Sequence, residues 1–284
     1  MRMLAYSQEE LRFAWCNRVL IRCRTQRCKP IALLQSLTPE ILSDLLKPYG
    51  VHLLEFATTS NEFQAMLSLT PNESTSTAVS KTKGRISKWL SEHQPDSSER
   101  TTLARGYFAV TLGEPDSKSI EDYLREQSVH HGYDQRARPP VYVQSFDHSD
   151  EKRRMLATDH ASTLLRYHLV LATWYRRGVF TDETGQVVAE RWRDLQRGYL
   201  IDKVSFVPDH VHLALTLHPV QAPAAVAATL MNAAQDLMWD RYSGVVIKSA
   251  VERLWQSSAY IGSFGALSSK AIKAYMHRWS NPAM

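Results

Sequence analysis

The chain has 284 residues, of which 44% are hydrophobic and 22% charged, with a net charge of +5. This is the mix of a folded globular protein and excludes disorder as its main state, while the length allows one large domain or two of ordinary size. No apolar run approaches the ~20 residues that a bilayer span needs, and the start MRMLAYSQEE lacks the apolar stretch of a secretion signal.

In chain order, the first strand-like run is AWCNRVLIRCR (14–24). It sits inside a basic segment, Arg12 to Lys29, with six Lys or Arg and no acid. The three cysteines, Cys16, Cys23 and Cys28, fall here too; an odd number without a C-x-x-C pair reads as reduced thiols of a cytosolic protein. Next come a short strand, YGVHLLEF (49–56), a long helix over 78–93, an aromatic strand with glycines, GYFAVTLG (106–113), and a closing helix, SIEDYLREQ (119–127). After a charged joint carrying Pro139 and Pro140, the same order returns: YHLVLATWYRR (167–177), DHVHLALTL (209–217), a helix over 222–241, AYIGSFG (259–265) and AIKAYMHRW (271–279). Five segments in one order indicate a duplicated α+β unit of about 130 residues. The reading is a first unit at 1–134, a linker at 135–160 and a second unit at 161–284. On this matching His52 corresponds to His212, Gly50 to His210, and Tyr123 to Tyr275.

The chemistry centres on His210-Val211-His212. Residues i and i+2 of a strand share a face, about 7 Å apart at Cα, so both imidazoles can turn to one divalent metal. The bland alternative is a pair of surface histidines. Asp209 could orient an imidazole or cap the strand end. Tyr123 and Gln127 stand four residues apart on a helix, about 6 Å from each other on one face. The basic clusters, the second being Arg166, Arg176 and Arg177, read either as solvated strand edges or as a phosphate-contacting surface. Trp15, Trp89, Trp174 and Tyr175 are either core or stacking platforms for unpaired bases. His168, on a strand, reads as structural.

The segments YHLVLATWYRRGVF, VPDHVHLALTL, AYIGSFG with AIKAYM, and GYFAVTLG with SIEDYLREQ resemble the single-tyrosine HUH transposases: the insertion sequence 200/605 transposases and REP-associated tyrosine transposases. The resemblance covers most of both halves. It implies an α+β fold of two tandem ferredoxin/RRM-like HUH domains, each a four-stranded antiparallel sheet with flanking helices, arranged as an intramolecular pseudo-dimer. It implies Mg2+ or Mn2+ held by His210, His212 and Gln127, with Tyr123 or Tyr275 as nucleophile. Trp279 stands where the second unit would carry the Gln, and Gly50 interrupts the first unit's His pair. Each half thus keeps what the other lost, which implies one composite site of His210 and His212 with Tyr123 and Gln127. Arg18, Arg22, Arg24, Arg176 and Arg177 are the implied phosphate contacts. The implied function is cleavage and rejoining of single-stranded DNA with hairpin ends through a 5′-phosphotyrosine, in a prokaryotic cytoplasm at the nucleoid. The competing reading is a domesticated hairpin-binding protein that no longer cuts.

Overall fold

The computed structural model describes residues 6–93, 102–113, 139–249 and 253–265. The first unit runs β2 (Arg18–Arg24), α1 (Pro39–Leu46), the hairpin β3 (His52–Thr58) and β4 (Glu62–Ser68), α2 (Thr75–His93) and β5 (Tyr107–Leu112), preceded by β1 (Arg12–Cys16). Between the units come β6 (Tyr142–Ser145) and a short α3 (Asp150–Arg154). The second unit repeats the order: β7 (Ala161–Thr173), α4 (Asp182–Asp194), the hairpin β8 (Tyr199–Val207) and β9 (His210–Leu217), α5 (Pro223–Arg241), α6 (Ser243–Lys248) and β10 (Trp255–Phe264). Among the described residues no helix is long and apolar enough to cross a membrane.

Local chemistry sets the helix starts. Thr38 accepts a hydrogen bond from the Ile41 amide, and Pro39 opens α1 where no amide is needed. Thr181 and Thr184 cap α4 reciprocally, with Asp182 and Glu183 at the positive end of the helix dipole. Strand alternation then sorts the faces. Val19, Ile21 and Cys23 of β2 are buried in the main core, whereas Leu20, Arg22 and Arg24 take the opposite face. That opposite face carries a small second cluster, Leu20, Ala57, Met66, Val110 and Leu112.

Each unit contributes four antiparallel strands, β3-β4-β2-β5 and β8-β9-β7-β10, and these are joined with β1 and β6 into one ten-stranded sheet in the order β3-β4-β2-β5-β7-β9-β8-β6, with β10 on β7 and β1 on β10. Strands are shared in both directions. The first four residues of β7 pair in parallel with β5, and β1 pairs in parallel with β10. The two registers match: Ala161 faces Tyr107 as Phe13 faces Ala259. Tyr6 is carried across too. Its hydroxyl accepts from the Trp255 amide at 2.8 Å and donates to Gln235 at 2.9 Å, inside the second unit's core. Residues 6–16 therefore pack with the second unit rather than with the rest of 1–134. Part of the expected linker is a strand, since β6 pairs with β8.

At the junction the hydroxyls of Thr111 and Ser263 act reciprocally. Thr111 accepts from the Arg166 amide at 2.8 Å and donates to the Phe264 carbonyl at 2.8 Å. Ser263 accepts from the Arg18 amide at 2.9 Å and donates to the Leu112 carbonyl. The backbones approach closely here: a Cβ on Gly265 would stand 2.3 Å from the Thr111 carbonyl oxygen, which only glycine allows. Removing each buried hydroxyl orphans backbone groups at about 1–3 kcal/mol. Thr111→Val with Ser263→Ala is expected to lower the melting temperature by roughly 5–10 °C. Thermal unfolding followed by circular dichroism checks this, and an unchanged midpoint would show that the junction does not depend on the two clasps.

Candidate active site

β9 opens at His210, directly after the two-residue loop Pro208-Asp209. That loop is pinned by its backbone. The Thr173 amide and hydroxyl both donate to the Asp209 carbonyl at 2.9 Å, and the Val179 and Phe180 amides donate to the Pro208 carbonyl at 2.7 and 3.0 Å. His210 faces Ala172 and His212 faces Val170, so both imidazoles project from one face. Their ring centroids are 4.9 Å apart with planes at 69°.

Each ring is held at Nδ1. The Nδ1 of His210 lies 2.7 Å from Asp209 Oδ1, and the Nε of Arg176 donates to Asp209 Oδ2 at 3.0 Å. Arg176 also comes within 3.2 Å of His210 Nδ1. A guanidinium cannot accept, so a single Nδ1 cannot serve both neighbours. The shorter contact to a carboxylate decides: Nδ1–H donates to Asp209, and ligation by His210 would use Nε2. Burial by itself would raise the Asp209 carboxyl, but the His210 hydrogen bond and the Arg176 charge outweigh it and hold it below the usual range. Arg176 reaches this place because Tyr175 and Arg176 adopt left-handed backbone, φ 51° and 57°, which a side-chain-bearing residue adopts only under constraint. The same turn leaves Tyr175 73% exposed.

The second imidazole has a neighbour that strand patterning did not flag. His168 of β7 places Nε2 at 3.0 Å from Nδ1 of His212, with ring centroids 5.2 Å apart and planes 15° from parallel. Tyr260 meets His168 edge-on at 6.0 Å. Burial pushes the His168 imidazole down to about 4, so it is neutral. The contact is cross-strand, and only strand register reveals it.

The first unit's counterpart follows from register, and it corrects the matching of His52 with His212. Arg22 faces Gln64 and Arg24 faces Glu62 on β2 and β4, as Val170 faces His212 and Ala172 faces His210 on β7 and β9. The Thr25 amide donates to the Asn61 carbonyl as the Thr173 amide does to Asp209. Both hairpins break register at the same point, between Leu53 and Glu55 and between Ile201 and Lys203. The counterparts of His210 and His212 are therefore Glu62 and Gln64, and that of His168 is Leu20. His52 instead opens β3 and matches Leu200, while Gly50 matches Gly198; both glycines have left-handed φ, 69° and 74°. In the first unit Arg22 grips Glu62 with two hydrogen bonds of 2.8 Å each, and Arg24 adds a contact of 3.4 Å. The first unit thus presents a carboxylate, already neutralised by guanidinium groups, where the second presents an imidazole.

The model of the family described as "Transposase IS200 like" matches the chain twice, over residues 18–127 and 161–278. The chain belongs to the IS200-like transposase family. Among similar proteins, the ISDra2 transposase TnpA of Deinococcus radiodurans is 29% identical over 114 residues, 39% of this chain and 81% of that protein. A solved structure of a Deinococcus radiodurans R1 protein assigned as a transposase is 24% identical, covers 43% of this chain and 96% of its own, and superposes with a TM-score of 0.36.

In this transposase the expected site residues divide. His210 and His212 stand together as described. Tyr123, Gln127, Tyr275 and Trp279 lie outside the described residues. Arg22 and Arg24 meet Glu62, Arg176 meets Asp209, and Arg177 donates to the Ser249 carbonyl at 3.0 Å. Arg18 uses its backbone amide at the unit junction. Of the aromatic candidates, Trp89 is core and Trp174 half-buried, whereas Trp15 and Tyr175 are exposed. Among the described residues no three His, Cys, Asp or Glu side chains group to hold a metal.

The Arg22–Glu62 pair is testable by a double-mutant cycle in urea. Arg22→Val installs the second unit's residue and strips a buried carboxylate of its main partner; about 2 kcal/mol should be lost, short of a fully buried pair because Arg22 is partly exposed. Adding Glu62→Gln should recover at least half of that. Simple additivity would show that the pair is not coupled.

Proposed function

We propose that this transposase cleaves and rejoins single-stranded DNA with hairpin ends, dependent on a divalent metal and acting at one composite site per chain. The observation that carries this reading is the contrast between the two hairpins. His210 and His212 face one direction with Asp209 and His168 at their Nδ1 atoms, while Glu62 and Gln64, at the matching positions, lie beside the Arg22 guanidinium.

Two imidazoles on one face, both anchored at Nδ1, fit Mg2+ or Mn2+ as two of its ligands, and Gln127 is the proposed third. The ion would offset charge that develops on the scissile phosphate oxygens. The chain's own groups do the rest. The Tyr123 hydroxyl oxygen bonds to the 5′ phosphorus, the bond from phosphorus to the 3′ oxygen breaks, and the tyrosine proton ends on solvent or on the leaving 3′ oxygen. The phosphodiester energy is kept in the phosphotyrosine, so rejoining needs no nucleotide cofactor. Asp209 and Arg176 keep the His210 ring oriented. Arg18, Arg177 and the exposed Tyr175 remain the proposed contacts to phosphate and unpaired bases.

The reciprocal sharing of β1 and β7, with matched registers, supports an intramolecular pseudo-dimer, in which the closing helix of one unit serves the hairpin of the other. That would bring Tyr123 to His210 and His212. The occupied first-unit hairpin also suits the second reading, a transposase-derived hairpin-binding protein that no longer cuts.

A cleavage assay on hairpin-ended single-stranded DNA with Mn2+ separates the two. The enzyme reading predicts a covalent adduct that mass spectrometry maps to Tyr123, lost in Tyr123→Phe and retained in Tyr275→Phe. It also predicts that His210→Ala or His212→Ala abolishes cleavage and spares hairpin binding, which rests on phosphate contacts. An adduct on Tyr275 would place the whole site within the second unit. Hairpin binding without any cleavage would favour the domesticated protein.

A further inference from the structure

The second unit carries three histidines on its site face, and the first unit carries none at the matching positions. Leu20, Glu62 and Gln64 stand there in place of His168, His210 and His212. His168 thus differs between the units along with the His pair, although it lies on a different strand. It is buried, its Nε2 is 3.0 Å from His212 Nδ1, and the two ring planes are only 15° apart. A hydrogen bond between two neutral imidazoles needs one donor and one acceptor, and its direction fixes both tautomers. Only the direction in which His212 Nδ1–H donates leaves a lone pair on His212 Nε2.

We infer that His168 is a positioning residue: by accepting from His212 Nδ1–H it holds His212 in the tautomer and ring orientation that ligation through Nε2 requires. Its relation to His212 parallels that of Asp209 to His210. Each imidazole then has its own anchor, one charged and near the surface, the other neutral and buried. This rests on the metal reading of the His pair, but the tautomer itself does not.

His168→Leu is the informative variant, because the first unit holds Leu20 buried at the matching position and the substitution keeps the site apolar. His168→Gln is the rescue, since its terminal oxygen can accept a hydrogen bond where Nε2 stands. In the metal-free full-length protein, nitrogen-15 NMR of the histidine rings is expected to show His212 as the Nδ1–H tautomer in wild type and in His168→Gln, and as a mixture or the Nε2–H form in His168→Leu. Calorimetric titration with Mn2+ is expected to show a Kd weakened 10–100-fold in His168→Leu and mostly restored in His168→Gln, with hairpin binding unchanged in both. An unaltered His212 tautomer in His168→Leu overturns the inference, as does an Nε2–H tautomer in the wild type. Equal losses of Mn2+ affinity in both variants, tracking their melting temperatures, would show a merely structural role and also overturn it. If wild type shows the Nδ1–H tautomer but binds no Mn2+, the metal reading fails, and with it the claimed purpose of the contact.

Discussion

Two strand edges in need of partners govern this structure. β5 closes the first unit's sheet and β10 the second's, and each would leave a row of backbone amides and carbonyls unpaired. Each is covered by a strand from the other unit, β5 by the start of β7 and β10 by β1. The exchange turns two small sheets into one and threads Tyr6 into the distant core. It also sets Thr111 and Ser263 as reciprocal clasps where the chains cross. The hairpins of both units therefore belong to one continuous sheet.

On that framework the two hairpins have diverged at a handful of positions. A buried carboxylate requires a nearby cation, and Glu62 finds it in Arg22 at bidentate distance. The second unit has imidazoles at the matching positions, His210 and His212. Val170 stands opposite His212 where Arg22 stands opposite Gln64. Fusion makes such divergence possible, since a homodimer must carry two copies of whatever it has. The proposed single working site needs only one hairpin to keep its ligands.

The order of elements was legible in the sequence because strand, helix and turn signals repeat in both halves. The His pair was legible because a strand period of two places both rings on one face. The matching of His52 to His212 failed because VHLLEF and VHLALT share a local pattern while belonging to different strands of the hairpin. The left-handed glycines at 50 and 198 were the better anchors, since each opens its hairpin. Once those align, Glu62 and Gln64 fall on the His pair. His168 was illegible for another reason: its partner is across the sheet, and a single sequence does not state register. The sharing of β1 and β7 was hidden likewise, because a strand's own residues do not name the unit whose edge it covers.

The proposed function needs one metal-binding hairpin per chain, the other being closed by Arg22 on Glu62. Calorimetric titration of the full-length protein with Mn2+ measures the stoichiometry directly. One ion per chain is expected, lost in His210→Ala and retained in Glu62→Ala. Two ions per chain, or one that survives His210→Ala and disappears in Glu62→Ala, would contradict it.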